Sequence, residues 1–232
     1  MNKDLLVKKE NNLRIRQIIL PSIIAVIQWL DFWLFGVDLL FFSRYSFSKI
    51  LLLEKVLFLI FLILVWNCLF YFIREYRKKN PVIRRGIKLF VIYFLILLTL
   101  CILLWPGTWS WDDIFSLERL VDYSYHPWQH VFTGMIQMIF LQLFPSAGGL
   151  IVVQNAIISC CVSYIIVSFE ESVLGEHLIN WKYTFLELIP FLLPPVLMYQ
   201  LSGYRIGLYV YAEAVWLSFS SLNAMKNGVG LV

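Results

Sequence analysis

The chain has 232 residues, 60% of them hydrophobic and only 15% charged, against roughly 25% charged in an ordinary soluble domain. Its formal net charge of +4 does not point to nucleic acid, because twelve of the nineteen Lys and Arg sit in two clusters beside apolar runs, where they act as topology signals. Apolar runs of about 17 to 25 residues can cross a hydrocarbon core of roughly 30 Å as helices. Strict alternation is absent, which argues against a β-barrel, so an all-α, polytopic transmembrane helical bundle is expected.

Residues 1 to 17 carry Lys3, Lys8, Lys9, Arg14 and Arg16. The first apolar run starts only near Ile18 and lacks a clear small-residue cleavage site, so this is not a cleavable signal peptide. About seven spans follow, near residues 18–42, 56–72, 89–105, 127–144, 150–169, 185–201 and 206–222. The second basic cluster, residues 73 to 88, holds Arg74, Arg77, Lys78, Lys79, Arg84, Arg85 and Lys88. Cytoplasmic loops retain such residues, so both clusters belong inside, with two spans between them. The third span then ends outside at Trp105, residues 106–126 form an extracytoplasmic loop, and by the same count Glu170 to Tyr183 also falls outside. The four cysteines, Cys68, Cys101, Cys160 and Cys161, lie in apolar runs and read as small hydrophobes. The proline cluster Pro190, Pro194, Pro195 should kink or unwind the sixth span. Neither GxGxxG nor GxxxxGK[ST] occurs, so nothing suggests nucleotide binding.

The external loop, GTWSWDDIFSLERLVDYSYHPWQH from Gly107 to His130, concentrates four of fifteen acidic residues and two of three histidines. Ile114, Leu117, Leu120 and Val121 fall on one helical face, with Ser116, Glu118, Arg119 and Asp122 elsewhere, as in a short helix lying in the interface plane. Trp105, Trp109, Trp111, Tyr123, Tyr125 and Trp128 suit an aromatic belt at headgroup depth. Ser110-Trp111-Asp112-Asp113 matches the capping box S-x-x-[DE], which gives Asp113 a structural role and leaves Asp112 without one. A carboxylate at a Trp-walled membrane surface is a candidate general base, although acidic residues also favour helix N-termini for dipole reasons. His126 and His130, four apart, have ligand-compatible spacing; with Asp112 they make a candidate divalent-metal set, against the alternative of two hydrogen-bonded structural histidines. Within the spans, Asp31, Asp38, Gln154, Asn155, Glu187 and Glu213 are functional candidates because polar groups at membrane depth are costly unless paired or wetted. Asp38 and Glu187 read as interfacial, Asp31 and Glu213 as deeper, and Glu213 with Arg205 is a candidate lining for a lipid-donor cavity.

PGTWSWDD, then HPWQHVFTGMIQMIFLQLFPSAGGLIVVQNA, resembles the GT-C class of membrane glycosyltransferases, such as the protein O-mannosyltransferase and aminoarabinose transferase relatives, and is nearest an uncharacterised bacterial branch with a Pro-Gly-x4-Asp opening. Asp112 matches the acidic position of the first external loop, His126 and Pro127 the step that opens the next helix, and Leu143 to Gly149 its terminal turn. The resemblance covers roughly residues 89–170, taken as the core region between an N-terminal part (1–88) and two further spans (171–232). It implies inverting transfer of a sugar from a polyprenyl-phosphate donor to an extracytoplasmic acceptor hydroxyl on a cell-envelope polymer, lipid or protein. Asp112 is then the base, Asp113 and His126 stand with it as catalytic candidates, and Arg119, His130, Arg205 and Glu213 are candidates for holding substrate or lipid phosphate. No organic cofactor is implied, and a divalent metal remains open because an Asp-x-Asp pair is lacking. Such enzymes usually have more spans, and the ending NGVGLV directly after a span reads as an interrupted scaffold. Two other readings stay open: a membrane O-acyltransferase that uses His126 or His130, and a transporter or assembly subunit in which the loop only anchors.

Overall fold

A computed structural model describes residues 3–36, 42, 49–122, 124, 131–174, 183–203 and 206–226, without the side chains of 3–16, 173–174, 206 and 224–226. The described chain is helical: α1 (Lys3–Phe35), α2 (Lys49–Arg77), α3 (Pro81–Leu103), α4 (Trp111–Val121), α5 (Val131–Leu143), α6 (Ala147–Leu174), α7 (Thr184–Leu188), a 3-10 turn (Ile189–Phe191), α8 (Pro194–Gln200) and α9 (Ile206–Lys226). Four helices are long and apolar enough to cross a membrane, namely Gln17–Phe35, Lys49–Arg77, Pro81–Leu103 and Ala147–Ser172.

Two expected spans take another form among the described residues. Within the run at 127–144 they form α5, Val131–Leu143, an apolar helix that is not among the four long ones. The run at 185–201 breaks into α7, the 3-10 turn and α8, because Pro190, Pro194 and Pro195 cannot continue a regular hydrogen-bond ladder.

Helix α6 is the axis of the bundle: most of its apolar stretch is buried, whereas α1 and α2 turn most of theirs outward. Helix α3 meets it through Arg85, Leu89, Tyr93, Leu97 and Cys101, all buried. This four-residue spacing makes one continuous ridge, which packs on Ile158, Val162, Ile166 and Val167 of α6. At one end of that pair, Gly148 makes room for the Trp105 indole; a Cβ there would lie 2.3 Å from the ring. At the other end, Arg85 pairs with Glu170 at 2.6 Å. The two helices are therefore antiparallel, and the segment from Trp105 to Gly148 returns to the end from which it left.

That return corrects the expected order of crossings. Glu170, expected on the opposite side, lies at the same end as the 73–88 basic cluster, because it touches Arg85 directly.

Helices α1 and α2 form an antiparallel pair joined along its length. Arg74 donates to Gln17, Asn67 to Ser22 at 3.4 Å, the Trp66 indole to Gln28 at 2.7 Å and the Trp29 indole to the Lys55 carbonyl at 2.8 Å. Ala25, Phe58 and Leu62 are the buried contacts of this pair, and Phe61 packs it against α5.

Candidate functional site

The loop after α3 is built for close approach. Gly107 has φ 108°, and a Cβ there would stand 2.6 Å from the Leu201 carbonyl oxygen, so only glycine fits. The next residue, Thr108, donates its backbone N–H to Leu201 O at 2.8 Å. Trp109 lies over Gly203, where a Cβ would be 2.5 Å from the indole, and its Nε1 donates to Pro106 O at 3.1 Å. Both anchors lie on the stretch that follows α8, so the loop and the broken segment hold each other in place.

From that anchored loop, α4 starts with the capping box. Ser110 Oγ accepts from the Asp113 N–H at 3.4 Å and donates to Asp113 Oδ2 at 2.8 Å; Oδ2 also accepts from the Ser110 N–H at 3.1 Å. Asp113 is buried and engaged in the cap, while Asp112, one residue earlier, is exposed. The inward face of α4 is Asp113, Ser116 and Leu120, with Leu117 packed on the core. Its outer face exposes Trp111, Ile114 and Phe115 beside Asp112, Glu118 and Arg119, with the Trp111 and Phe115 rings 5.8 Å apart. The apolar face expected from spacing thus divides: Leu120 is buried, while Ile114 is 40% exposed. Capping turns Asp113 inward, and the helix rotates with it. Ser124 closes the far end, donating to Arg119 O from its backbone at 3.0 Å and from its hydroxyl at 2.8 Å.

The broken segment survives inside the bundle because side chains replace its missing helical bonds, as irregular backbone requires at membrane depth. Gln154 donates to Ser202 O at 2.9 Å and Gln137 to Gly203 O at 2.9 Å. The Tyr93 hydroxyl lies 2.9 Å from Gln200 Oε1 and 3.0 Å from Phe191 O, and Gln200 Nε2 donates to the Tyr211 hydroxyl. Gln154, a functional candidate from sequence, is thereby a structural donor. Its neighbour Asn155 is fully buried, with neither side-chain amide atom hydrogen-bonded among the described residues.

The largest charge cluster described is one that sequence reading missed. Arg85 donates from Nη2 to Glu170 Oε1 at 2.6 Å and to Glu187 Oε2 at 2.7 Å, and from Nη1 to Thr184 Oγ1 at 2.8 Å. Arg85 and Glu170 are buried. Glu187, expected at the interface, is a member of this cluster, with its Oε1 buried and without a hydrogen-bond partner among the described residues. Burial, then the hydrogen bond and charge of Glu170, push the Glu187 carboxyl up to about 7, against the opposing pull of Arg85. Each member looks ordinary in sequence, since Arg85 belongs to a topology cluster and the two carboxylates sit near predicted span ends.

The other expected site residues are placed as follows. Arg119 and Glu213 are exposed, as is Asp31 on α1. His126, His130, Arg205 and Asp38 lie outside the described residues, so the candidate set Asp112, His126, His130 cannot be assembled from the structure; among the described residues, no three His, Cys, Asp or Glu gather to hold a metal ion. Comparison with family models, with curated proteins and with solved structures finds no match to this chain.

Proposed function

We propose that this is a multi-pass membrane transferase whose reaction centre is the α3–α4 loop, moving a sugar from a polyprenyl-phosphate donor to an acceptor hydroxyl. The observation that carries the reading is the division of labour between adjacent aspartates: Asp113 is committed to the cap, and Asp112 is exposed in the first turn of α4, next to the anchored loop. A general base must combine a fixed position with access to its substrate. Exposed Trp111 and Phe115 suit headgroup depth, where a lipid-linked donor presents its phosphate.

In this reaction Asp112 takes the proton of the acceptor hydroxyl. The oxygen forms a bond to the anomeric carbon, whose bond to the phosphate oxygen breaks with the electron pair leaving on the lipid phosphate. Arg119, His126 and His130 are the nearby sequence positions suited to that developing charge, with or without a divalent ion; Arg205 and Glu213 are assigned to the donor's path. The positive-inside rule, applied to the cluster around Arg85, puts the α4 end outside. Nucleotide sugars do not reach that face, which favours a lipid-linked donor and a cell-envelope acceptor.

The test is transfer of label from a radiolabelled polyprenyl-phosphate sugar in membranes containing the protein. Asp112→Asn should abolish transfer with insertion unchanged, and full activity in that variant sinks the assignment. Loss of transfer with His126→Ala or His130→Ala but not with Asp112→Asn would move the reading to histidine-dependent acyl transfer.

A further inference from the structure

A cleft of about 480 Å³ opens between the C-terminal parts of α6 and α9 and the 3-10 turn, within reach of the Arg85 cluster. This volume lies in the range of small-molecule sites, roughly 300 to 1,000 Å³. Its walls are mainly apolar, including Ile165, Phe169, Phe191 and Leu217. Phe169 and Leu217 are also exposed on the outside of the bundle, so the cleft opens where acyl chains would lie.

The polar lining is Glu187 and the hydroxyls of Ser168, Ser172, Ser218 and Ser221, so its one charged group is a carboxylate. Glu187 borders the cleft, and its Oε1 has no hydrogen-bond partner among the described residues. Ser172 and Ser218 line it too, and both donate their hydroxyl hydrogens to their own helices, to Phe169 O at 2.8 Å and Ala214 O at 2.9 Å. Their oxygens are left as acceptors. The charges are unequal as well, with one guanidinium serving two carboxylates.

We propose that this cleft binds a single-chain cationic amphiphile, its ammonium head against Glu187 Oε1 and the serine oxygens and its chain along Phe169 and Leu217. An ammonium supplies donors and the missing positive charge, and an alkyl chain fits the apolar wall. A bare metal ion fits worse, because it needs about six oxygens around it. The site stands at the opposite end of α3 and α6 from the α4 loop, and does not depend on the sugar-transfer reading.

The test uses the full chain in phosphatidylcholine nanodiscs with a diazirine-bearing dodecylamine, and the matching dodecanol as the neutral probe. The amine should crosslink within Ile165–Ser172 and Leu217–Leu222 at pH 8. Labelling should fall about tenfold in Glu187→Gln, as expected for loss of a charge-assisted hydrogen bond. Lowering the pH to 5.5 should weaken it likewise, because Glu187 takes up a proton; Arg85, Glu170 and Thr184 face it from α3, α6 and α7, and the polar groups α9 brings to the cleft are the hydroxyls of Ser218 and Ser221. Ser221→Trp, which fills the cleft from α9 without touching the ion cluster, should block the amine while leaving thermal unfolding unchanged. Equal labelling by amine and alcohol in the wild type, full labelling in either variant, or crosslinks confined to other helices would each overturn the proposal.

Discussion

The Arg85 guanidinium lies 2.6 Å from Glu170 Oε1, joining the first turns of α3 to the last turns of α6 by a buried ion pair. Removing one partner leaves an uncompensated charge, which typically costs about 3 to 5 kcal/mol. Arg85→Ala should therefore lower stability by about that much in a detergent unfolding assay. Replacing the whole cluster with apolar residues, Arg85→Met with Glu170→Leu and Glu187→Leu, should recover most of the loss. A triple variant no more stable than Arg85→Ala would show that the cluster does more than balance its own charge.

Glu187 gives that end of the bundle a pH dependence. Its carboxyl is raised from an ordinary value of 4.5 to about 7, so the folded state holds the proton more tightly than the unfolded chain. Its contribution to stability is complete below about 4.5 and is lost as pH rises through about 7. The unfolding temperature should rise as pH falls from 8 to 5.5, and Glu187→Gln should flatten that change while matching or exceeding the wild type at pH 8. An unchanged slope in Glu187→Gln would assign the dependence to another group.

The return of the 106–146 segment to its starting end can be read by chemical labelling. In a chain with its native cysteines replaced, single cysteines at Ser124 and Ser146 should react with an impermeant maleimide from one face of the membrane. Cysteines at Lys79 and Glu171 should react only from the other. Reaction at Ser124 and Ser146 from opposite faces would make α5 a crossing.

Adjacent residues at the start of α4 should differ in kind. Ser110→Ala removes the N-cap and should cost about 1 kcal/mol, measurable as earlier proteolysis of the loop. Asp112→Asn changes an exposed side chain and should stay within about 0.5 kcal/mol of wild-type stability, so its effect on transfer is separable from folding.

Gly148 is a packing test of the helix pair. A Cβ there would fall 2.3 Å from the Trp105 ring, so Gly148→Leu should displace the indole and lower the unfolding temperature, with Trp105→Ala in the same chain restoring part of it. An undiminished unfolding temperature in Gly148→Leu would mean that this contact is not fixed.

Much of the α4 start was legible in the sequence because capping is local. Ser110 and Asp113 are three residues apart, and their hydrogen bonds require only that α4 form. Helix α3 was legible as an apolar run near 89–105 long enough for a membrane, although the structure begins it at Pro81. The meeting of Trp105 with Gly148 at one end of the α3–α6 pair was not legible, because hydropathy measures transfer of side chains and does not report which helix ends meet.

By itself, the sequence determined an all-helical chain with apolar stretches long enough for a membrane, the position of its basic clusters, and the capping of α4, because each rests on residue type or on neighbours within one or two helical turns. Only the tertiary structure decided that α3 and α6 are antiparallel partners, that Trp105 and Gly148 meet at one end of that pair, and that Arg85, Glu170 and Glu187 share one cluster. These groups stand 85 and 102 residues apart in sequence. No local pattern encodes such a pairing; it arises when burial excludes water and each charge must find its partner within the bundle.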